Sequence, residues 1–215
     1  MQLTDIITRV QRIFGDEDEV QISVEDIISW VSDGQMEVAR QTEILTKSKE
    51  FDFDPVTFSN GFVLPADFIL EKRVTWNDGT STINLQKTTL MDLDQYIGDP
   101  QSVSDQKVSL YYFWGGSVYP WPVGSKAVPK ALKLWYVCSP EPLTQITDQL
   151  QIPLYMHEDL VRYALMRARE LNEDVEQANA MGTDLANRMV QSRSEAFSPY
   201  KDQYPVIRDY AGDNW

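Results

Sequence analysis

The residues able to do covalent or metal chemistry are few. The chain has one histidine, His157, and one cysteine, Cys138. A nucleophilic triad would have to use His157 as its base, but no G-x-S-x-G elbow is present and His157 falls on the apolar face of a helical stretch. His157 therefore reads as a structural, hydrogen-bonded histidine. One histidine cannot supply a multi-histidine metal site. A lone cysteine excludes an intrachain disulfide and makes a reducing compartment the default. Carboxylate pairs such as Asp92 and Asp94 carry no weight in a chain with 33 Asp and Glu. The run Asp16-Glu17-Asp18-Glu19 lacks the glycine and the twelfth-position glutamate of a calcium loop and reads as a solvated loop. Gly115-Gly116 lacks the Lys-Ser/Thr of a phosphate loop and reads as a hairpin turn. No catalytic residue, cofactor or metal site is assigned. Tyr111, Tyr112, Phe113, Trp114, Tyr119 and Trp121 could stack sugars or bases. Alternate strand residues must face inward, so a core and a subunit interface are the more usual uses. Phe113 and Trp114 are the candidates for partner binding in this stretch.

The element that must position His157 is the longest periodic stretch, Pro153 to about Gln191. Leu154, His157, Val161, Ala164, Ala168, Leu171, Val175, Ala178, Gly182, Leu185 and Met189 recur at three- and four-residue steps, which places them on one side of an α-helix. Leu160 and Leu165 widen the stripe to a core face. Pro153 suits a first helical turn. Asn172-Glu173-Asp174 allows a break into two helices. Ala164, Ala168, Ala178 and Gly182 are small enough for another helix to approach closely. The expected partner is the Val24–Leu45 helix.

At 215 residues the chain can bury a sizeable core. Its net charge is −14, and its nineteen Lys and Arg are scattered, which argues against sequence-specific DNA binding. The first nineteen residues lack a continuous apolar core, so no signal peptide is expected, and no stretch is apolar enough to span a membrane.

Residues 3–14 read as an amphipathic helix, with Leu3, Ile6, Ile7, Val10, Ile13 and Phe14 on one face and Gly15 ending it. Ser23-Val24-Glu25-Asp26 is a capping box opening a second helix. Its buried face is Val24, Ile27, Ile28, Val31, Val38 and Leu45, with Trp30 beside it, and Gly34 marks a close helix approach. From Phe51 the period becomes two. Strands are expected over 51–58, 69–76, 83–85, 108–114 and 131–137, with turns at Asn60-Gly61, Asn77-Asp78-Gly79 and Gly115-Gly116. Residues 88–96 read as one or two helical turns, and 98–107 as a loop. In the last strand Leu132, Leu134 and Tyr136, or the opposite set, face inward.

These elements predict an α+β fold: a helical bundle with a small antiparallel β domain inserted between N-terminal and C-terminal helices, plus an extended C-terminal arm. The expected domains are a helical body of 1–50 and 141–197, an inserted β-rich domain of 51–140, and an arm of 198–215. The arm has no period, and Pro199 and Pro205 disfavour helix. Tyr200, Tyr204, Ile207, Tyr210 and Trp215 are its candidate partner-binding anchors, since an extended segment cannot bury them within itself.

Four blocks then carry a family resemblance over about residues 3–190. They are LTDIITRVQRIFGD with VEDIISWVSDGQMEVAR; FVLPADFILEKRVTWNDG; VYPWP after an aromatic strand; and LWYVCSPEPLT followed by IPLYMHEDLVRYALMRARE. In order and spacing the chain resembles the head-to-tail connector adaptor proteins of tailed bacteriophages. The resemblance implies a structural virion protein of the podovirus-like neck, made in the host cytoplasm. It implies a homo-oligomeric ring of twelve copies that binds the portal protein on one face and the next tail or nozzle component on the other. DNA would pass through the lumen during ejection without sequence-specific binding, and an acidic lining suits a channel that must not grip phosphate. It implies no catalytic residue, and His157 matches the family histidine. Two other classes remain open on the residues: a carboxylate-dependent cell-wall or polysaccharide hydrolase, which needs two carboxyls roughly 5–10 Å apart in a groove, and a soluble sugar- or peptide-binding module.

Overall fold

A computed structural model describes residues 1–58, 61–97 and 107–196. In chain order the elements are α1 (Leu3–Phe14), α2 (Val24–Thr42), β1 (Thr46–Phe53), β2 (Phe62–Val63), β3 (Phe68–Asn77), β4 (Thr82–Asn84), β5 (Gln86–Lys87), α3 (Leu90–Ile97), β6 (Leu110–Trp114), β7 (Ser117–Trp121), β8 (Val128–Cys138), α4 (His157–Leu171) and α5 (Val175–Ala196). The fold is α+β. Its compact units are a helical one, built from Met1–Ile44 and the chain from Glu141 onward, and a β-rich one, Leu45–Pro140.

In the helical unit, α1 buries Leu3, Ile6, Ile7 and Val10. Ile13 is half exposed, because Gly15, at φ +87°, turns the chain one residue after Phe14. The following acidic loop is not simply solvated. The Asp16 carboxylate is buried and accepts the backbone N–H groups of Val20, Gln21 and Ile22 at 2.8–2.9 Å. Burial alone would raise its pKa, but those three bonds outweigh it and hold the carboxyl below its ordinary value. At the start of α2, Ser23 Oγ accepts the N–H of Asp26 at 3.1 Å and donates its own proton to the Asp26 carboxylate at 2.7 Å. Ile27, Ile28, Val31 and Val38 are buried on α2 as their spacing requires. Leu45 is not on this helix. The helix stops at Thr42, where Glu43 takes a left-handed conformation (φ +55°), and β1 begins at Thr46.

The long periodic stretch divides where Asn172-Glu173-Asp174 interrupts it, with Glu173 at φ +59°. His157, Val161, Ala164, Ala168, Ala178, Leu185 and Met189 of the stripe are buried. Leu154, Leu171 and Val175 are more than half exposed, because they flank the start of α4 and the break rather than the centres of the helices. α4 packs against α1, α2 and α5, and α2 also meets α5. Asp159, 1% exposed, receives the Nε–H of Arg188 from α5 at 2.8 Å. The buried amide of Gln35 ties α2 to the chain before α4, accepting the N–H of Gln151 at 2.7 Å.

The β-rich unit holds two four-stranded sheets, ordered β1-β8-β3-β4 and β2-β7-β6-β5. The pairs are antiparallel, as the sequence predicts, except the short pair of β5 with β6, which is parallel. That exception arises because α3 and the chain after it carry the polypeptide from β5 to β6, and such a crossover permits parallel pairing. Phe53, Trp76, Leu132, Leu134 and Tyr136 from one sheet share a core with Phe62, Tyr111 and Val118 from the other. Phe53 makes edge contacts with Phe58, Phe62 and Trp76 at centroid distances of 5.1–6.4 Å. Thr89 caps α3, its Oγ1 accepting the N–H of Asp92 at 3.1 Å. Gly115 and Gly116, at φ +56° and +76°, make the β6–β7 turn, which needs two left-handed residues.

Candidate interaction surfaces

The residues with chemical potential are used internally. His157 is buried at the start of α4, and its Nε2 lies 2.9 Å from the carbonyl oxygen of Ile152, so Nε2 carries the proton and donates it. Cys138 is buried, and burial pushes its thiol pKa up, away from nucleophilic thiolate. Beside it, Asp67 accepts the Tyr136 hydroxyl at 3.0 Å and the Lys47 ammonium at 2.8 Å. Burial opposes ionisation of Asp67, but these two partners lower its pKa. Burial, with Asp67 adding to it, pushes Tyr136 up to about 12. The cluster fastens β1, β8 and the segment before β3 rather than presenting a reactive group. Asp92 accepts the Thr89 hydroxyl at 2.7 Å; the Asp94 side chain lies outside the described residues. Among the described residues no three His, Cys, Asp or Glu are placed to hold a metal ion. None of their helices is long and apolar enough to cross a membrane.

The two aromatic candidates on β6 have different surroundings. Phe113 points to the core side, 5.6 Å from Tyr111 and 5.9 Å from Phe68 between ring centroids, with Lys87 Nζ at 5.3 Å. Trp114, its neighbour, is on the opposite side of the strand and is 62% exposed. Ser117 lies in register with both Trp114 and Val63, and Val63 is 67% exposed. Trp114 and Val63 thus flank a buried serine at the turn end of the sheet, as an apolar pair facing solvent. Tyr200, Tyr204, Ile207, Tyr210 and Trp215, the other sequence candidates, lie outside the described residues.

A second surface is legible only in three dimensions. On the outer side of the β1-β8-β3-β4 sheet the Trp135 ring is half-buried between two cations. Arg73 Cζ, directly across the ladder, is 5.2 Å from the ring centroid, and Lys133 Nζ is 5.1 Å from it. Arg73 also donates to Asn84 Oδ1 at 2.7 Å, and Lys133 and Lys130 share one carboxylate, Glu50, at 2.9 and 3.1 Å. The strand alternation in ALKLWYV, with leucines inward, already places Lys133 and Trp135 on the outer side. Nothing local points to Arg73, which reaches Trp135 from a strand about sixty residues earlier.

Charge is divided unevenly. Residues 45–140 carry nine Lys and Arg against ten Asp and Glu. Residues 1–44 and 141–215 carry ten against twenty-three, so nearly all of the −14 belongs with the helical unit. The helical unit also has a groove of about 400 Å³ lined mainly by Tyr163, Met166, Gly182, Leu185, Met189 and Val190.

The model of one protein family, described as SU10 adaptor protein, matches residues 1–205 of the 215. This chain belongs to the SU10 adaptor protein family. It is a bacteriophage adaptor protein, as its four sequence blocks imply, and membership of a structural family points away from enzymatic activity. Adaptor membership implies a place in the virion neck and contacts with portal and tail components. No curated protein matches the chain.

Proposed function

We propose that this adaptor protein forms a homo-oligomeric ring of twelve copies beneath the portal, joins capsid to tail, and lines the channel through which DNA leaves. The observation that carries this reading is the family match over residues 1–205. The charge distribution supports it. A wall with many more carboxylates than bases repels the phosphate backbone and lets DNA slide without sequence-specific contacts.

Within this reading the exposed Trp114, with Val63 beside it, meets a neighbouring subunit or the next tail ring, while Phe113, the other candidate, packs on Phe68 and Tyr111 on the core side. Interface cores favour aromatic residues, and a solvent-facing Trp is the costliest such residue to leave uncovered. The arm 198–215 docks through Tyr200, Tyr204, Ile207, Tyr210 and Trp215 on another chain of the particle, by strand addition or by aromatic anchors in pockets. Truncation after Phe197 then leaves the chain folded but weakens its retention on the portal. Electron microscopy of the purified protein, alone and mixed with portal rings, tests the whole reading. A ring seated on the portal is the expected image. A protein that leaves portal rings bare at micromolar concentration overturns it.

A further inference from the structure

We propose that the outer face of the β1-β8-β3-β4 sheet of one copy, centred on Trp135, Arg73 and Lys133, docks on the acidic turn between α1 and α2 of the next copy. This rests on the reading that the chain self-assembles, and adds which surfaces meet.

The acidic side of the contact stands out by what surrounds it. Between Arg12 and Arg40 the sequence contains no Lys or Arg, while Asp16, Glu17, Asp18, Glu19, Glu25, Asp26, Asp33 and Glu37 fall in that span. Elsewhere in the helical unit several carboxylates have an arginine partner: Glu158 has Arg9, Asp159 has Arg188, Asp184 has Arg162, Asp174 has Arg169 and Glu43 has Arg193. Glu17, Asp18, Glu19, Glu25 and Asp26 are exposed and have no ion pair among the described residues. Their excess charge sits on a fixed scaffold, because Asp16 takes three backbone N–H bonds and holds the turn in one shape.

The opposing sheet face has the composition of an interface hot spot. Trp and Arg dominate such spots, and here a Trp ring is already held between Arg73 and Lys133. Lys130 extends the patch. It sits at φ +50° where the β1–β8 register shifts, and its N–H bonds to Asp52 at 2.7 Å. Glu50 neutralises only one of the two lysines it touches, and Arg73 has only a neutral amide and the Trp135 ring among the described residues. In a chain of net charge −14, copies repel each other except where such a patch meets unmatched carboxylates. The two surfaces are different patches of one chain, so the contact is head-to-tail, the type that closes into a ring when the rotation allows.

The test uses the full chain and three variants in sedimentation velocity at low salt and at 0.5 M salt. The variants are Arg73→Glu/Lys133→Glu, Glu17→Lys/Asp18→Lys/Glu19→Lys, and the combination of all five changes; melting curves confirm that each folds. Wild type is expected to self-associate at low salt and to weaken at high salt, since exposed pairs are screened over about 10 Å at 0.1 M. Each single-surface variant is expected to associate at least about tenfold more weakly, because like charges then face each other. An equimolar mixture of the two single-surface variants is expected to recover association, as is the five-change chain alone. Recovery in the mixture requires the contact to be between copies. Carbodiimide cross-linking of mixed ¹⁴N and ¹⁵N wild type is expected to join Lys130 or Lys133 to residues 17–26 in mixed-isotope pairs. Association that ignores the charge reversals, or that yields no such cross-links, overturns this inference and leaves the self-assembly reading standing. A wild type that stays monomeric at every salt, or a patch that retains a DNA oligonucleotide while the protein stays monomeric, overturns both.

Discussion

The ring of Tyr163 lies on the backbone of Gly34. A β-carbon at position 34 would stand 3.0 Å from Cγ and Cδ1 of Tyr163 and 3.2 Å from its Cβ. This contact sets how closely α4 approaches α2, and it explains why a glycine sits inside a nineteen-residue helix where it lowers propensity. Gly34→Ala gains about 1 kcal/mol of helix propensity, but the atoms it meets are the near end of the tyrosine, which cannot swing away without moving α4. A net loss of about 1–3 kcal/mol is expected, as for other overpacked sites. In a Tyr163→Ala background the same change should be neutral or stabilising. Chemical denaturation of the four proteins measures the cycle; a Gly34→Ala chain more stable than wild type would show that α4 is free to shift.

Val161, fully buried on the face that α4 turns inward, gives a second packing test. Val161→Asp places a carboxylate in fully buried apolar packing. A loss of about 3–5 kcal/mol, enough to unfold much of the helical unit, is expected. A melting temperature equal to that of wild type would reject this packing of α4.

Much of this packing was readable in the chain. Three- and four-residue spacing located α1, α2, α4 and α5 because each buries a single stripe, and the Asn172-Glu173-Asp174 interruption falls where the stripe breaks. Period two and the glycine turns located β3, β6, β7 and β8. The reading failed where an outcome depends on contacts distant in sequence. Leu154, Leu171 and Val175 keep the period but lie beyond the reach of the neighbouring helices. The strand expected over 51–58 is Thr46–Phe53 instead: Thr46 to Glu50 look too polar for a strand, yet they pair along β8, and Lys47 and Glu50 are satisfied by Asp67 and by Lys130 and Lys133. Asp16 looks like one acid among four, and only the turn reveals that it binds three amides. Of the candidate surfaces, Trp114 was visible in the sequence, whereas the Arg73–Trp135–Lys133 stack needed the ladder between β3 and β8.

The Tyr136–Asp67 bond predicts an alkaline limb in the stability of the β-rich unit. Tyr136 titrates at about 12 when folded, chiefly because it is buried and also because it donates to Asp67, against about 10 when unfolded. The neutral phenol is the form that folding favours. Its contribution is therefore complete below pH 10 and is lost as the pH rises from about 10 through about 12. Tyr136→Phe should lower the midpoint of unfolding at pH 8 and flatten this limb between pH 10 and 12. Urea unfolding followed by tryptophan fluorescence reads both effects. An unchanged alkaline slope would mean that the Tyr136 hydroxyl titrates alike in the folded and unfolded chain.

Trp114 and Phe113 are adjacent, and their substitutions should fail in different ways. Phe113 packs against Phe68 and Tyr111, so Phe113→Ala removes buried contacts and should cost about 2–4 kcal/mol of stability. Trp114, mostly exposed, should tolerate Trp114→Ala within about 0.5 kcal/mol. If Trp114 anchors a neighbouring chain, the same substitution should weaken assembly by about 2 kcal/mol, near thirtyfold in affinity, which is the scale of an interface hot spot. Val63→Ser, beside it across Ser117, should have a smaller effect of the same kind. The pair of measurements is a melting curve for each variant and a titration of its retention on portal rings. A Trp114→Ala chain that is stable and retained like wild type would remove this hairpin from the interface, and the contact would then have to be sought on other surfaces of the chain.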